Sequence, residues 1–259
     1  MGKRLTGYLN WRRGRAEHHR MDVLDRLLDD IAQAEVDHVA VTGDLINIGL
    51  ADEYKAARTF LWRVGPPDRV SFVPGNHDAY MRETVPGIVH HWRPWFLGDG
   101  VGENDGGYAF PFTRVRGKVA LIGVNSGVPT APFLATGFLG SRQIAALADE
   151  LEALGQRGLA RVVLIHHPPF DIGFQKRLGD HRELATMLAK VGAEAVLHGH
   201  THKGTHREIR GPNGPIPVIG VPSASAAAGG RHEPAAWNLV TVDGEPGGWR
   251  VSVDRRPIG

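Results

Sequence analysis

Four short apolar runs in this chain each end in a polar cluster built from glycine, aspartate, asparagine or histidine. Residues 38–41 run into Thr42-Gly43-Asp44, and residues 70–73 into Pro74-Gly75-Asn76-His77-Asp78. Residues 162–165 run into His166-His167-Pro168-Pro169, and residues 195–197 into His198-Gly199-His200-Thr201-His202. Short, apolar, partly β-branched runs read as buried strands. Open α/β sheets gather their ligands where loops converge at the carboxyl ends of such strands. One Gly-Asp pair after a strand is an ordinary turn, and one histidine there is an ordinary structural residue. Four clusters in one chain point instead to a sheet that brings them together.

The segments between these runs fit that sheet. Val23, Leu24, Leu27, Leu28 and Ile31, with Met21, recur at helical spacing and predict an amphipathic helix ending near Ala34. A second helix is expected over 51–62, stopped by Pro66-Pro67. Strands are expected over 108–112 and 119–124, as antiparallel neighbours. Ser141 is expected to cap a helix that presents Ile144, Leu147, Leu151 and Leu154 on one face. Residues 184–191 read as helix, and 211–215 as a turn before a strand over 216–219. A closing hairpin is expected from 237–242 and 249–253. With no repeat or linker in its 259 residues, the chain reads as one domain, 1–259: a layered α/β sandwich of two mixed sheets flanked by helices.

Composition narrows the chemistry. There are no cysteines, so thiolate metal sites, disulfides and cysteine nucleophiles are excluded. A formal net charge of +2 gives no case for nucleic acid as a partner. The basic opening (Lys3, Arg4, Arg12, Arg13, Arg15) reads as a solvated face. No run of about eighteen apolar residues suggests a membrane span. With no export signal visible, a cytoplasmic location is the expectation.

Carboxylate, imidazole and amide oxygen together suit zinc, manganese or iron. A central aspartate can bridge two ions, and Asn76 adds a neutral oxygen that does not repel a phosphate. Two such ions, about 4 Å apart, clamp a phosphoryl group and acidify a bound water. His77 is placed to protonate the leaving oxygen, and Asp78 to orient His77.

Gly43-Asp44, Gly75-Asn76-His77-Asp78, His166 before His167-Pro168, and Gly199-His200-Thr201-His202 together resemble the calcineurin-like metallophosphoesterases, over roughly residues 21–222. The resemblance implies two face-to-face sheets with a dinuclear site at the strand ends, holding two divalent or trivalent ions. It makes Asp44 the bridging ligand. Asn76, His166 and His200 hold one ion, His202 binds the other, and His77 contacts phosphate. His167 and His198 match no ligand position. It also implies a departure. The family opens with a strand ending in Asp-x-His, and no such segment precedes Asp44; Glu17, His18 and His19 are the nearest substitutes. The expectation is therefore a chain lacking the first strand, with one strong metal site and impaired turnover.

The leading function is metal-dependent hydrolysis of a phosphoester, a phosphodiester first. Its substrate would be a small phosphoester or a lipid headgroup. The competing class is a non-catalytic binding or scaffold protein that keeps one metal.

Overall fold

The computed structural model describes residues 20–101, 110–229 and 233–258. The basic opening and Glu17, His18 and His19 lie outside these residues.

A helix, α1 (Met21–Gln33), leads into β1 (Val39–Val41). Next come α2 (Ala51–Val64), β2 (Val70–Phe72) and α3 (Val85–Trp92). The hairpin strands β3 (Phe112–Arg116) and β4 (Val119–Gly123) precede α4 (Ser141–Gln156) and β5 (Ala160–Ile165). Then follow α5 (His181–Val191), β6 (Ala195–His198), β7 (His206–Gly211) and β8 (Gly214–Gly220). The chain closes on the hairpin β9 (Ala236–Asp243) and β10 (Arg250–Pro257).

Six strands form one mixed sheet in the order β3-β4-β5-β6-β8-β7. Its inner pairs, β4-β5, β5-β6 and β6-β8, are parallel, and both edges are antiparallel. The central strands are apolar along most of their length, Arg161 near the start of β5 and His198 at the end of β6 excepted, because both faces are covered. Val162 and Leu164 of β5 face one core, shared with Phe72, Trp92, Trp95 and Leu121. Val163 and Ile165 face the other, against Ile144, Leu147 and Leu151 of α4 and Leu184 and Leu188 of α5. This period-two alternation gives one sheet two cores.

The layer opposite the helices α4 and α5 differs from the expected second mixed sheet. Among the described residues it consists of two ribbons, the parallel pair β1-β2 and the antiparallel pair β9-β10. Between them lies a cleft of about 400 Å³, lined by Val39 and Ala40 of β1, Val240 and Val242 of β9, and Leu121 and Leu197 of the large sheet.

Local expectations also shift. Ser141 does not cap α4: the capping position is Gly140, at φ 83°, and Ser141 is the first helical residue. The Asp180 carboxylate instead accepts the N–H groups of Leu139 and Gly140. The strand expected at 108–112 begins only at Phe112 and runs through Arg114 and Arg116; residues 108 and 109 lie outside the described set. Neither α3 nor β7 was expected. Pro86 near the start of α3 is harmless there, since the first turn has no partner for that N–H. β7 is mostly charged and exposed, as suits a sheet edge that must resist further pairing.

Candidate functional site

Each polar cluster occupies the loop leaving a strand: Gly43-Asp44 after β1, Gly75-Asn76-His77-Asp78 after β2, His166-His167 after β5, and Gly199-His200 after β6. Parallel β5 and β6 carry their carboxyl ends to the same side, as do β1 and β2. The four loops meet there. His166 Nε2 lies 3.3 Å from Asp44 Oδ2, 3.2 Å from Asn76 Oδ1 and 3.2 Å from His200 Nδ1.

Glycines make that approach possible. A Cβ on Gly43 would stand 2.6 Å from Gly75 N and 2.7 Å from His166 Nδ1. One on Gly75 would overlap Asp44 Oδ1 and stand 2.7 Å from His166 Cε1. The backbone is also bent into uncommon conformations. Asp44, His200 and His202 all have positive φ, at 62°, 62° and 54°. Left-handed backbone is uncommon outside glycine, Asp and His being among the types that adopt it most readily, and it clusters at functional sites where packing enforces it.

Main-chain carbonyls fix which histidine nitrogen faces the centre. A carbonyl can only accept, so the nitrogen against it carries the proton. His166 Nδ1 donates to Thr42 O (2.6 Å), which leaves Nε2 to face Asp44 and Asn76. His200 Nε2 donates to Lys176 O (2.9 Å), which turns the Nδ1 lone pair inward. His167 lies among the same rings, and its nitrogens fall within 4.8 Å of those of His166 and His200. Its Nε2 donates to Ala135 O (3.2 Å), and its Nδ1 accepts the Ser126 hydroxyl (2.8 Å). That contact occupies the His167 Nδ1 lone pair.

The converging set is thus Asp44, Asn76, His166 and His200. Two ligands at about 2.1 Å from one tetrahedral ion sit about 3.4 Å apart. The three spacings measured from His166 match, and the donor types, carboxylate, amide oxygen and imidazole, suit a zinc-, manganese- or iron-like ion. His202 follows two residues after His200, half-buried, near enough for its charge to bear on His200. Burial drives the Asp44 carboxyl up, but His166 and His77 outweigh it and hold it well below the usual carboxylate range. Burial pushes His200 down to about 3, helped by His166, so it stands neutral with its lone pair exposed to a cation.

Asp78 takes a different place from the one expected. It is fully buried, and its oxygens accept the N–H groups of Asp44 (2.7 Å), Leu45 (2.9 Å), Ile46 (3.3 Å) and Gly75 (2.8 Å). It is a strut tying the first ligand loop to the second. His77 reaches the centre through its backbone, whose N–H donates to Asp44 Oδ1 (2.9 Å). Its ring stacks near Tyr80, and its Nδ1 donates to Asn47 O (2.8 Å). The supporting carbonyls of Thr42, Ala135 and Lys176 have no sequence signature, since every residue carries one. Ser126 likewise gives no signal outside its contact with His167.

Known proteins share this fold and family. The family model for calcineurin-like phosphoesterase matches residues 17–204. The glycerophosphodiester phosphodiesterase GpdQ of Enterobacter lignolyticus is 26% identical over 218 residues, covering 80% of this chain and 68% of its own. Among solved structures, a dimetal phosphatase from Danio rerio superposes with a TM-score of 0.64 at 13% identity, covering 92% of this chain and 89% of that one. The NAD nucleotidase of Haemophilus influenzae gives 0.54 at 18% identity, covering 88% of this chain and 42% of that one. At these identities the two structures speak for the fold alone.

Proposed function

Because the chain belongs to the calcineurin-like phosphoesterase family and is a metal-dependent phosphoesterase, we propose that it hydrolyses phosphodiesters at a dinuclear centre spanning its four strand-end loops. The observation that carries this reading is the meeting of Asp44, Asn76 and His200 on His166 Nε2 at the spacing of one ion's ligands. These four residues would hold one ion. Asp44, through its other oxygen, and His202 would contribute to a second. When bound, such ions polarise a phosphoryl oxygen and lower the pKa of a water.

The remaining roles fall to the chain's own groups. Asn76 brings an uncharged oxygen, which leaves the centre able to accept an anionic phosphate. His77, beside Asn76 on the same loop, is assigned to the phosphate and the leaving oxygen. Asp78 keeps the Asp44 and Gly75 backbones in register, which places it one step behind the chemistry. The preference for diesters over monoesters rests on the GpdQ relative, and the substrate would be a small phosphodiester or a lipid headgroup. Manganese, iron and zinc all suit the donors.

The test is hydrolysis of bis-p-nitrophenyl phosphate and p-nitrophenyl phosphate by the manganese-loaded protein, alongside Asp44→Asn. The diester should turn over faster, and the Asn variant should lose at least about a hundredfold, as removing a ligand shared by both ions requires. Equal rates for the two proteins would end the assignment. The second reading, a one-metal binding protein without turnover, is favoured by the fact that the convergent ligand set fits a single ion. Metal counting decides between them: about one ion per chain and no hydrolysis supports it, and two ions with turnover rejects it.

A further inference from the structure

Glu53 accepts three backbone N–H groups from one short loop. Its Oε1 receives Asn47 N (3.0 Å) and Ile48 N (3.4 Å), and its Oε2 receives Leu50 N (2.7 Å) and Ile48 N (3.3 Å). A glutamate at the third position of a helix ordinarily reaches back to one N–H, that of the capping residue, here Leu50. The bonds to Asn47 and Ile48 go beyond what ending α2 requires. Upstream, Asp78 receives the N–H groups of Asp44, Leu45 and Ile46. The segment from 44 to 50 is therefore suspended between two carboxylates. Asn47 begins the stretch held by Glu53, and its carbonyl receives His77 Nδ1 at 2.8 Å.

We propose that Glu53 is the positioning residue for His77: by clamping residues 47–50 it sets the Asn47 carbonyl, and that carbonyl sets the tilt of the His77 ring. Glu53 itself touches neither phosphate nor metal ligand. The assignment rests on His77 serving the leaving oxygen, as read above. Misplacing a positioned group by about 1 Å can cost on the order of a hundredfold in rate. The loss should concentrate on substrates that most need help at the leaving oxygen.

Glu53→Gln keeps the shape but turns an NH2 toward amides that need an acceptor. In the manganese-loaded protein, this variant should bind as much metal as the parent. Its kcat should fall about tenfold for a phenyl or alkyl phosphodiester and less than about threefold for bis-p-nitrophenyl phosphate, with KM little changed. Amide exchange at residues 47–50 should quicken. Glu53→Asp, with two acceptor oxygens on a shorter arm, should fall between, and it carries the same comparison if the Gln variant does not fold. His77→Ala, run in parallel, separates the two levels of the argument. If His77→Ala shows the leaving-group selectivity and Glu53→Gln does not, Glu53 is only a helix cap and the proposal fails alone. If His77→Ala shows no such selectivity, or the parent does not turn over, the reading of His77 fails and takes this assignment with it.

Discussion

Gly75 has no room for a side chain, because Asp44 and His166 occupy the place where one would begin. Gly75→Ala forces either the ligand pair apart or the loop away from Asp78, which holds Gly75 N. Overpacking of this kind costs about 1–3 kcal/mol. Because the clash falls on two of the proposed ligands, metal affinity should drop about tenfold or beyond. Metal titration beside thermal melting checks this, and equal metal affinity in the two proteins would show that the loops can part freely. Asp44, Asn76, His166 and His200 were legible in the sequence, because carboxylates, amides and imidazoles after apolar strands have few structural uses. Asp78 was legible as important and misread in role: its sequence position beside His77 suggested a partner, whereas the fold turns it to the amides of another loop. Glu53 was invisible as more than a helix residue, since its contacts are with backbone.

Strands and helices were readable where side chains alternate or recur, and unreadable where an edge is defined by charge. β3 is the clear case. Its Arg114 is buried, and its guanidinium donates to the carbonyls of Pro67, Val70, Pro94 and Leu97, stitching β3 to the start of β2 and the turn after α3. An arginine mid-strand argues for a loop until those carbonyls are seen. His38, just before β1, shows the same economy of partners. Its Nε2 pairs with Ser71 Oγ (2.8 Å), while its Nδ1 is buried with none. Burial, with the charges of Arg116 and Arg114, pushes it from an ordinary 6.5 to about 3. The folded chain therefore keeps His38 neutral where the unfolded chain takes up a proton. The contribution to stability is complete above about pH 6.5 and is lost progressively as pH falls toward 3. His38→Gln should narrow the stability gap between pH 7.5 and pH 5 in urea titrations; an unchanged gap would place the acid sensitivity elsewhere.

For the molecule as a whole, the layered α/β plan was readable from the order of strands and clusters, and so was the closing hairpin β9-β10, whose strands are neighbours in sequence. The separate parallel ribbon β1-β2 was not, because its pairing joins residues about thirty positions apart, which short apolar runs do not encode. The candidate centre joins loops spread from Asp44 to His200, so a bound ion should act on the entire fold. Loading at a hundred times the dissociation constant is worth about 2.7 kcal/mol. Chelation should therefore lower the melting temperature of the parent by several degrees and leave Asp44→Asn almost unmoved; equal shifts would mean the chelator acts elsewhere. No described helix is long and apolar enough to cross a membrane. The loops 135–137 and 175–179 add one last consequence. They are joined by Ala135 N to Gln175 O, Gly137 N to Arg177 O and Gly179 N to Gly137 O, and between them they supply the carbonyls that turn His167 and His200. What the centre takes from positions 135 and 176 is an atom every amino acid owns. Drift in spelling there is cheap, while a single inserted or deleted codon shifts the wrong carbonyl into place. Relatives of this chain should therefore differ freely in the letters of these two loops and agree in their lengths.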